Sequence, residues 1–322
     1  MKLKHKLIKS ITLLISLFVV FTGALYLYGK ENATSTANKE VEKTQTKQIT
    51  NSTNDTVEEE SNSEDNLSEG IKDAFSHVIE GAKGIFIREN LDIVALGDSL
   101  TEGVGDSTNN GGYVGIVEST LQENKNNVEI NIKNFGKRGN RTDQLLKRLE
   151  EEKISSSIEE SDLILITIGA NDIMKVVKKN ATNLNYQAFV QEQNNYRNHL
   201  QDIFTTIRNK NEDASIYLIG LYNPFNQYFS NIPELEQIIY DWNRISKEVV
   251  SENEGVQFIP IKDLFENPTQ PLYSEDNFHP NENGYKLMAK RVLESIKDDI
   301  EKIENEDSEN TMEDENNQED PE

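Results

Sequence analysis

The residues of this sequence best suited to chemistry are a serine that ends an apolar run and a histidine just before the last helical stretch. Ser99 lies in Gly-Asp-Ser-Leu, and a serine at the end of a buried strand would project into the crevice at the sheet edge. A hydroxyl needs a base to become a nucleophile. His279 can supply that base, because Pro280 keeps it out of helical geometry and therefore in a loop. Asp276, on the same loop, can orient the imidazole.

The positions of the other histidines favour His279 as the base. His5 precedes an apolar N-terminal run, His77 lies in a predicted lead-in helix, and His199 falls in the middle of a polar helical stretch. We expect His199 to be a solvated surface residue. Taken alone, the serine segment also fits a helix cap and the histidine segment an exposed loop, so the interpretation depends on their combination.

Two further predicted strands end in groups that can donate hydrogen bonds. The Gly-rich turn from Asn134 to Asn140 can present a backbone N–H, and Asn171, in Gly-Ala-Asn-Asp, offers a side-chain amide. Such donors stabilise the negative charge that develops on a carbonyl oxygen under nucleophilic attack. Each turn alone is more often a polar loop than a site. Together with the serine and the Asp–His loop, they make chance agreement improbable.

These segments together resemble the signature blocks of the SGNH (GDSL) hydrolase family. In chain order the blocks are Gly97–Leu100, Asn134–Gly139, Gly169–Asp172 and Asp276–Pro280. The resemblance extends over residues 91–297, and the chain is similar in particular to the membrane-anchored, YpmR-like lipase/acylhydrolases of Gram-positive bacteria. No part of the chain before residue 68 or after residue 300 is covered by the family pattern.

The resemblance implies a role for each site residue. Ser99 would be the nucleophile, and His279 with Asp276 the base and its orienting partner. Ser99, Gly139 and Asn171 would form the oxyanion hole. The implied activity is a serine-dependent esterase or lipase-type acylhydrolase that cleaves a small-molecule, lipid or glycan ester through an acyl-enzyme, with no metal or other cofactor. Two alternatives stay open: an O-acetyl esterase acting on cell-wall or exopolysaccharide glycans, and a non-catalytic, membrane-tethered binding module.

Alternating strands and helices position these residues. Short apolar runs predict strands at 92–96, 128–134, 163–168, 215–220 and 256–261, and amphipathic stretches predict helices at 113–122, 142–151, 186–209, 232–251 and 282–297. This alternation predicts an α/β protein with a mostly parallel five-stranded sheet between two helical layers. The resemblance implies that this three-layer α/β/α sandwich is flavodoxin-like.

The chain outside this domain predicts attachment to a membrane. Successive segments are interpreted as a basic cytoplasmic stub (1–10), a transmembrane anchor or signal segment (11–29), a disordered tether (30–67), a lead-in helix (68–90), the hydrolase domain (91–300) and an acidic disordered tail (301–322). The uncharged run from Ile11 to Tyr28 would span roughly 27 Å as a helix, close to the ~30 Å hydrocarbon core. Flanking lysines favour an extracellular domain, anchored by a single pass or secreted after cleavage.

Charge and cysteine content exclude several classes of function. The formal net charge of −24 argues against nucleic-acid binding, because so acidic a surface repels phosphates. The absence of cysteine excludes disulfides, thiolate metal sites and a cysteine nucleophile. Lys137 and Arg138, in the second block, fit either an anionic acyl or glycan substrate or a solvent-facing loop.

Overall fold

The computed structural model describes residues 90–123, 129–180, 185–224 and 233–297. The predicted stub (1–10), anchor (11–29), tether (30–67) and tail (301–322) lie outside these residues, so those predictions stay predictions. The same holds for the lead-in helix, except that its last residue, Asn90, begins the first strand instead. Over the four described stretches, no helix combines the length and the apolar character needed to cross a membrane.

Five parallel strands form one sheet, which confirms the predicted α/β fold. The strands are β1 (Asn90–Gly97), β2 (Glu129–Gly136), β3 (Leu163–Thr167), β4 (Ser215–Ile219) and β5 (Val256–Ile259), in the order β2-β1-β3-β4-β5. Each begins and ends within about two residues of its predicted bounds. The match is close because strands buried on both faces, as β3 is along its whole length, read as continuous apolar runs.

Helices connect the strands. They are α1 (Ser99–Glu102), α2 (Gly112–Glu123), α3 (Thr142–Arg148), α4 (Glu152–Glu159), α5 (Ala170–Lys179), α6 (Tyr186–Lys210), α7 (Pro233–Ser251) and α8 (282–297), with a 3₁₀ turn at Lys262–Phe265. Three regions differ from the prediction. The single-turn helix α1 was not among the predicted helices. The helix expected over 142–151 is interrupted, because Glu151 adopts an extended conformation and begins α4. Helix α5 was not predicted, because its first residues were interpreted as a polar turn, although Ala170, Ile173 and Val177 recur at helical spacing.

The core is divided between the two faces of the sheet. Because successive side chains of a strand point to opposite faces, Val94 and Leu96 pack into one apolar cluster, and Ile93 and Ala95 into the other. Helices α3 to α7 supply the first cluster, and α2 and α8 the second. The described chain is therefore the expected three-layer α/β/α sandwich.

The strand order creates a crevice at the carboxyl edge of the sheet. The chain passes from β1 to β2 on one side and then to β3 on the other, and this reversal is where ligands bind in open α/β sheets. Helix α1 lies against the end of β2, where the Asn134 side-chain amide donates to the Thr101 carbonyl at 2.7 Å. A Cβ at Gly136 would lie 2.2 Å from the Glu102 nitrogen, so this approach requires glycine.

Candidate active site

Ser99 is the first residue of α1 and follows β1 after a single residue. The intervening Asp98 caps the helix: its Oδ1 accepts hydrogen bonds from the Leu100 N–H at 3.0 Å and from the Thr167 hydroxyl at 3.1 Å. The turn is therefore fastened both to its own helix and to β3. The first N–H groups of a helix have no partner within it, so the Ser99 N–H is a candidate donor at this edge of the sheet.

The structure brings Ser99, His279 and Asp276 together. The Ser99 Oγ lies 2.9 Å from His279 Nε2, and His279 Nδ1 lies 2.5 Å from Asp276 Oδ2. Because a carboxylate accepts the proton on Nδ1, Nε2 is left as the acceptor for the serine proton. The imidazole is thus oriented as a base for the hydroxyl.

The loop that carries Asp276 is organised around that side chain. Its Oδ1 accepts hydrogen bonds from the Ser274 hydroxyl at 2.8 Å and from the N–H groups of Phe278 and His279 at 2.9 and 2.8 Å. Burial alone would raise the pKa of Asp276. The hydrogen bond and charge of His279, with the two backbone donors, outweigh it and hold the pKa well below its usual range. Asp276 is therefore an anion at neutral pH.

The predicted oxyanion donors lie side by side. Gly139 has a φ of +80° in a turn closed by the Asn140 N–H and the Lys137 carbonyl, and a Cβ on Gly139 would meet nothing within 4 Å, so it faces open space. The Asn171 side-chain amide donates to the Asn140 carbonyl at 3.0 Å. An amide nitrogen has two donors, so the second N–H of Asn171 remains for a substrate oxygen.

A buried carboxylate fixes these two donors relative to each other. Asp172 accepts the N–H of Thr142 at 3.1 Å and its hydroxyl at 2.6 Å, which joins the turn after β2 to the start of α5. His199 Nδ1 lies 3.3 Å from the same hydroxyl, so His199 is half-buried in this cluster and the prediction of a solvated residue was wrong. Sequence reasoning missed Thr142 and Asp172. The only signal was the position of Asp172 directly after Asn171.

A small apolar pocket of about 40 Å³ opens beside Ser99. Its apolar lining includes Ile173, Met174, Leu221 and Ile239. An acyl group is the kind of ligand that such a wall accommodates. Across the described chain, no group of three or more histidine, aspartate or glutamate side chains is arranged to hold a metal ion.

Comparison with known protein families identifies the chain. The model of the GDSL-like lipase/acylhydrolase family matches residues 95–287, a span that contains Ser99, Gly139, Asn171, Asp276 and His279. The chain belongs to this family. The resemblance inferred from the four sequence blocks is thereby confirmed.

Curated relatives of this GDSL-like protein come from bacilli. It is 36% identical to the uncharacterized protein YpmR of Bacillus subtilis (strain 168), over 65% of this chain and 83% of the relative. It is 28% identical to the spore germination lipase LipC of Bacillus licheniformis, over 63% and 94% of the two chains. Identity to an acetylxylan esterase of Geobacillus stearothermophilus is 25%, over 67% and 94%.

Solved structures agree with the fold. The lipase Lip_vut3 from a goat rumen metagenome is similar with a TM-score of 0.56 and 26% identity, covering 63% of this chain and 95% of that one. A catalytic mutant of the acetylxylan esterase Axe2 from Geobacillus stearothermophilus matches with a TM-score of 0.50 and 21% identity, covering 65% and 95%. The second likeness concerns the fold alone.

Asp98 provides a test of the electrostatics beside Ser99. Desolvation raises its pKa to about 6, against the lowering effect of its hydrogen bonds to Leu100 and Thr167. An unfolded aspartate ionises near roughly pH 3.9. As pH rises through about 4 to 6, the unfolded state loses this proton first, so the folded state loses stability over that window.

We therefore expect Asp98→Asn, which keeps the Oδ1 acceptor, to gain stability relative to the wild type between pH 4 and pH 7. The gain should be on the order of 1–3 kcal/mol in the free energy of unfolding, measured by urea titration at both pH values. Asp263→Asn is the control. A hydrogen bond from Arg291 lowers the pKa of Asp263, so this variant should lose stability relative to the wild type over the same pH range. A pH dependence identical to the wild type in Asp98→Asn would contradict this account.

Proposed function

We propose that the chain is a serine-dependent carboxylic ester hydrolase. The observation that carries the proposal is the 2.9 Å contact between Ser99 Oγ and His279 Nε2, with Asp276 bound to the far side of the imidazole. Membership of the GDSL-like lipase/acylhydrolase family supports it. So do the names of two relatives, a spore germination lipase and an acetylxylan esterase.

The first half of the reaction forms an acyl-enzyme. Neutral His279 takes the proton of Ser99 as the serine oxygen attacks the ester carbonyl, and the carbonyl π electrons move onto oxygen. The N–H groups of Ser99 and Gly139 and the amide of Asn171 receive this oxyanion. Anionic Asp276 stabilises the imidazolium while it exists. The tetrahedral intermediate collapses, the carbon–oxygen bond to the alcohol breaks, and the alcohol leaves with the proton from His279.

The second half returns the enzyme to its starting state. His279 takes a proton from water as the water oxygen attacks the acyl carbon bound to Ser99. The same donors hold the second oxyanion. Its collapse releases the carboxylic acid, and Ser99 recovers its proton from His279. No group outside the chain and the water is required.

We propose that the domain acts at the outer face of the cell membrane. The support comes from the sequence alone: the uncharged run from Ile11 to Tyr28 follows several lysines, an arrangement that favours a cytoplasmic N-terminus. Residues 11–29 would anchor the chain in a single pass or be removed as a signal segment. Residues 30–67 would give the domain its reach as a flexible tether.

An O-acetyl esterase is the second candidate, and the pocket volume favours it. A space of about 40 Å³ beside Ser99 has room for about three groups of the size of a water or methyl. An acetyl group fits this space. The acetylxylan esterase among the relatives agrees with a short acyl group.

Labelling of the nucleophile tests the proposed chemistry. A fluorophosphonate probe should modify the wild type with loss of fluoride, because only an activated serine attacks the phosphorus, and Ser99→Ala should abolish labelling. Ser119→Ala, which changes an exposed serine of α2, should label like the wild type. A wild type that resists the probe would support the non-catalytic binding module instead.

Asn171→Ala tests the oxyanion hole. Removing one such donor typically lowers kcat by about 10² to 10³, with little change in KM, because the contact is made mainly in the transition state. Steady-state kinetics with an aryl acetate measure kcat and KM separately. Asn180→Ala, directly after the same helix, is the control, since the Asn180 side chain donates to the Val176 carbonyl. An unchanged kcat in Asn171→Ala removes that residue from the mechanism.

Acyl length distinguishes the two candidate activities. For p-nitrophenyl esters from acetate to decanoate, we expect kcat/KM to fall beyond about four carbons, by about tenfold or more per misfitted methylene. Ile239→Ala enlarges the pocket and should shift the limit to longer chains. Ile238→Ala controls for lost packing, because Ile238 is equally buried but does not line the pocket. A wild-type preference for decanoate would favour a lipase.

A further inference from the structure

A second cavity adjoins the oxyanion hole. It is open to solvent, has a volume of about 410 Å³, and shares Asn171 and Met174 with the acyl pocket. Gly139 also lines it. Gly139 and Asn171 are the donors assigned to the carbonyl oxygen of the substrate. When that oxygen occupies the oxyanion hole, one group attached to the ester therefore lies next to this cavity.

The lining of this cavity is basic, although the chain as a whole is strongly acidic. Four cationic residues line it, namely Arg141, Lys175, Lys178 and Lys179, and no carboxylate of the described residues does. Two of these cations have acidic partners: Asp143 accepts two hydrogen bonds from Arg141 at 2.8 and 3.0 Å, and Glu192 pairs with Lys175 at 2.7 Å. The formal net charge of the chain is −24, so a lining of cationic residues runs against the composition of the chain.

Helix electrostatics explain only part of this arrangement. Lys178 and Lys179 lie in the last turn of α5, where positive charge interacts favourably with the helix dipole. Helix α3 also ends in basic residues, Lys147 and Arg148, and neither lines the cavity. Arg141 precedes α3 and Lys175 lies in the middle of α5, so the dipole gives no reason for them to converge on the same space.

We infer that this basic cavity binds an anionic group of the substrate, a phosphate or a carboxylate, while the ester carbonyl occupies the oxyanion hole. The inference rests on the proposed ester hydrolysis and narrows its substrate to an acylated molecule that carries negative charge. Lysine and arginine side chains are the usual partners of both anions. The anion itself takes no part in bond breaking and acts through binding.

Two matched pairs of esters test the inference and separate the sources of charge. The first pair is 1-acetylglycerol and its 3-phosphate, and the second is an O-acetylated glucoside and the corresponding glucuronide. Within each pair the scissile acetyl ester is the same. We expect the wild type to favour the anionic member of at least one pair by about three- to tenfold in kcat/KM, mainly through KM, and the preference to shrink at about 1 M salt.

Charge-matched variants connect the preference to the cavity. The double variant Lys178→Gln, Lys179→Gln should lower kcat/KM for the anionic ester nearly to the value for its neutral partner. Hydrolysis of the neutral ester should be unchanged. Lys147→Gln with Lys290→Gln removes the same net charge from helices outside the cavity and should keep the preference. Thermal unfolding of both double variants separates a stability effect from a binding effect.

The outcomes distinguish the inference from the proposed function. Equal kcat/KM within both pairs, or an equal loss of preference in the two double variants, overturns the anion site while ester hydrolysis stands. If no ester of either pair is hydrolysed, the proposed function fails. Calorimetric titration of Ser99→Ala with acetylglycerol 3-phosphate and the acetylated glucuronide then still tests the anion site, which is overturned if neither binds more tightly than its neutral partner.

Discussion

The hydrogen bond between Ser99 and His279 joins residues 180 positions apart, and the rest of the site depends on it. It forms because parallel strands place their carboxyl ends at one edge of the sheet, so that every loop which follows a strand reaches the same crevice. Ser99 follows β1, and His279 lies beyond β5 in the loop that leads into α8. An antiparallel arrangement of the same segments would send alternate loops to the opposite edge.

Contacts around the histidine loop keep that distance short. The Tyr222 hydroxyl donates to the Phe278 carbonyl at 2.7 Å, and the Tyr285 hydroxyl donates to the Val104 carbonyl at 2.6 Å. One contact ties the loop to the segment after β4, and the other ties α8 to the segment after α1. A Cβ at Gly105 would lie 2.5 Å from the Pro280 carbonyl oxygen, so the loop packs directly on backbone there. The loop that carries His279 is therefore held both by the segment after β4 and by the segment that follows Ser99 and α1.

The sequence was sufficient for features that depend on composition or on short motifs. Strand β3 is buried throughout and largely apolar, and the half-exposed β2 still carries apolar residues at alternate positions, Ile130 and Ile132, so both kinds of strand could be located. The Asp–His loop carries its own proline signal. Features that depend on contacts between distant segments were not accessible. The Asp172–Thr142 pair joins residues 30 positions apart. Helix α5 was missed for a different reason: its apolar residues do recur at helical spacing, but its start was interpreted as a turn. The error over His199 has the same origin, because its neighbours in sequence are polar while its partner in space is Thr142.

Electrostatics in this domain are decided over short distances. Two carboxylates near Ser99 are shifted in opposite directions: Asp98, which accepts from neutral donors in a buried turn, has a raised pKa, whereas Asp276, beside the imidazole, has a lowered one. The same reasoning reconciles an acidic chain with a basic cavity. At physiological ionic strength charges are screened beyond about 8 Å. The acidic surface therefore repels an anionic substrate mainly during approach, and the lysines that line the cavity determine its binding once it has entered.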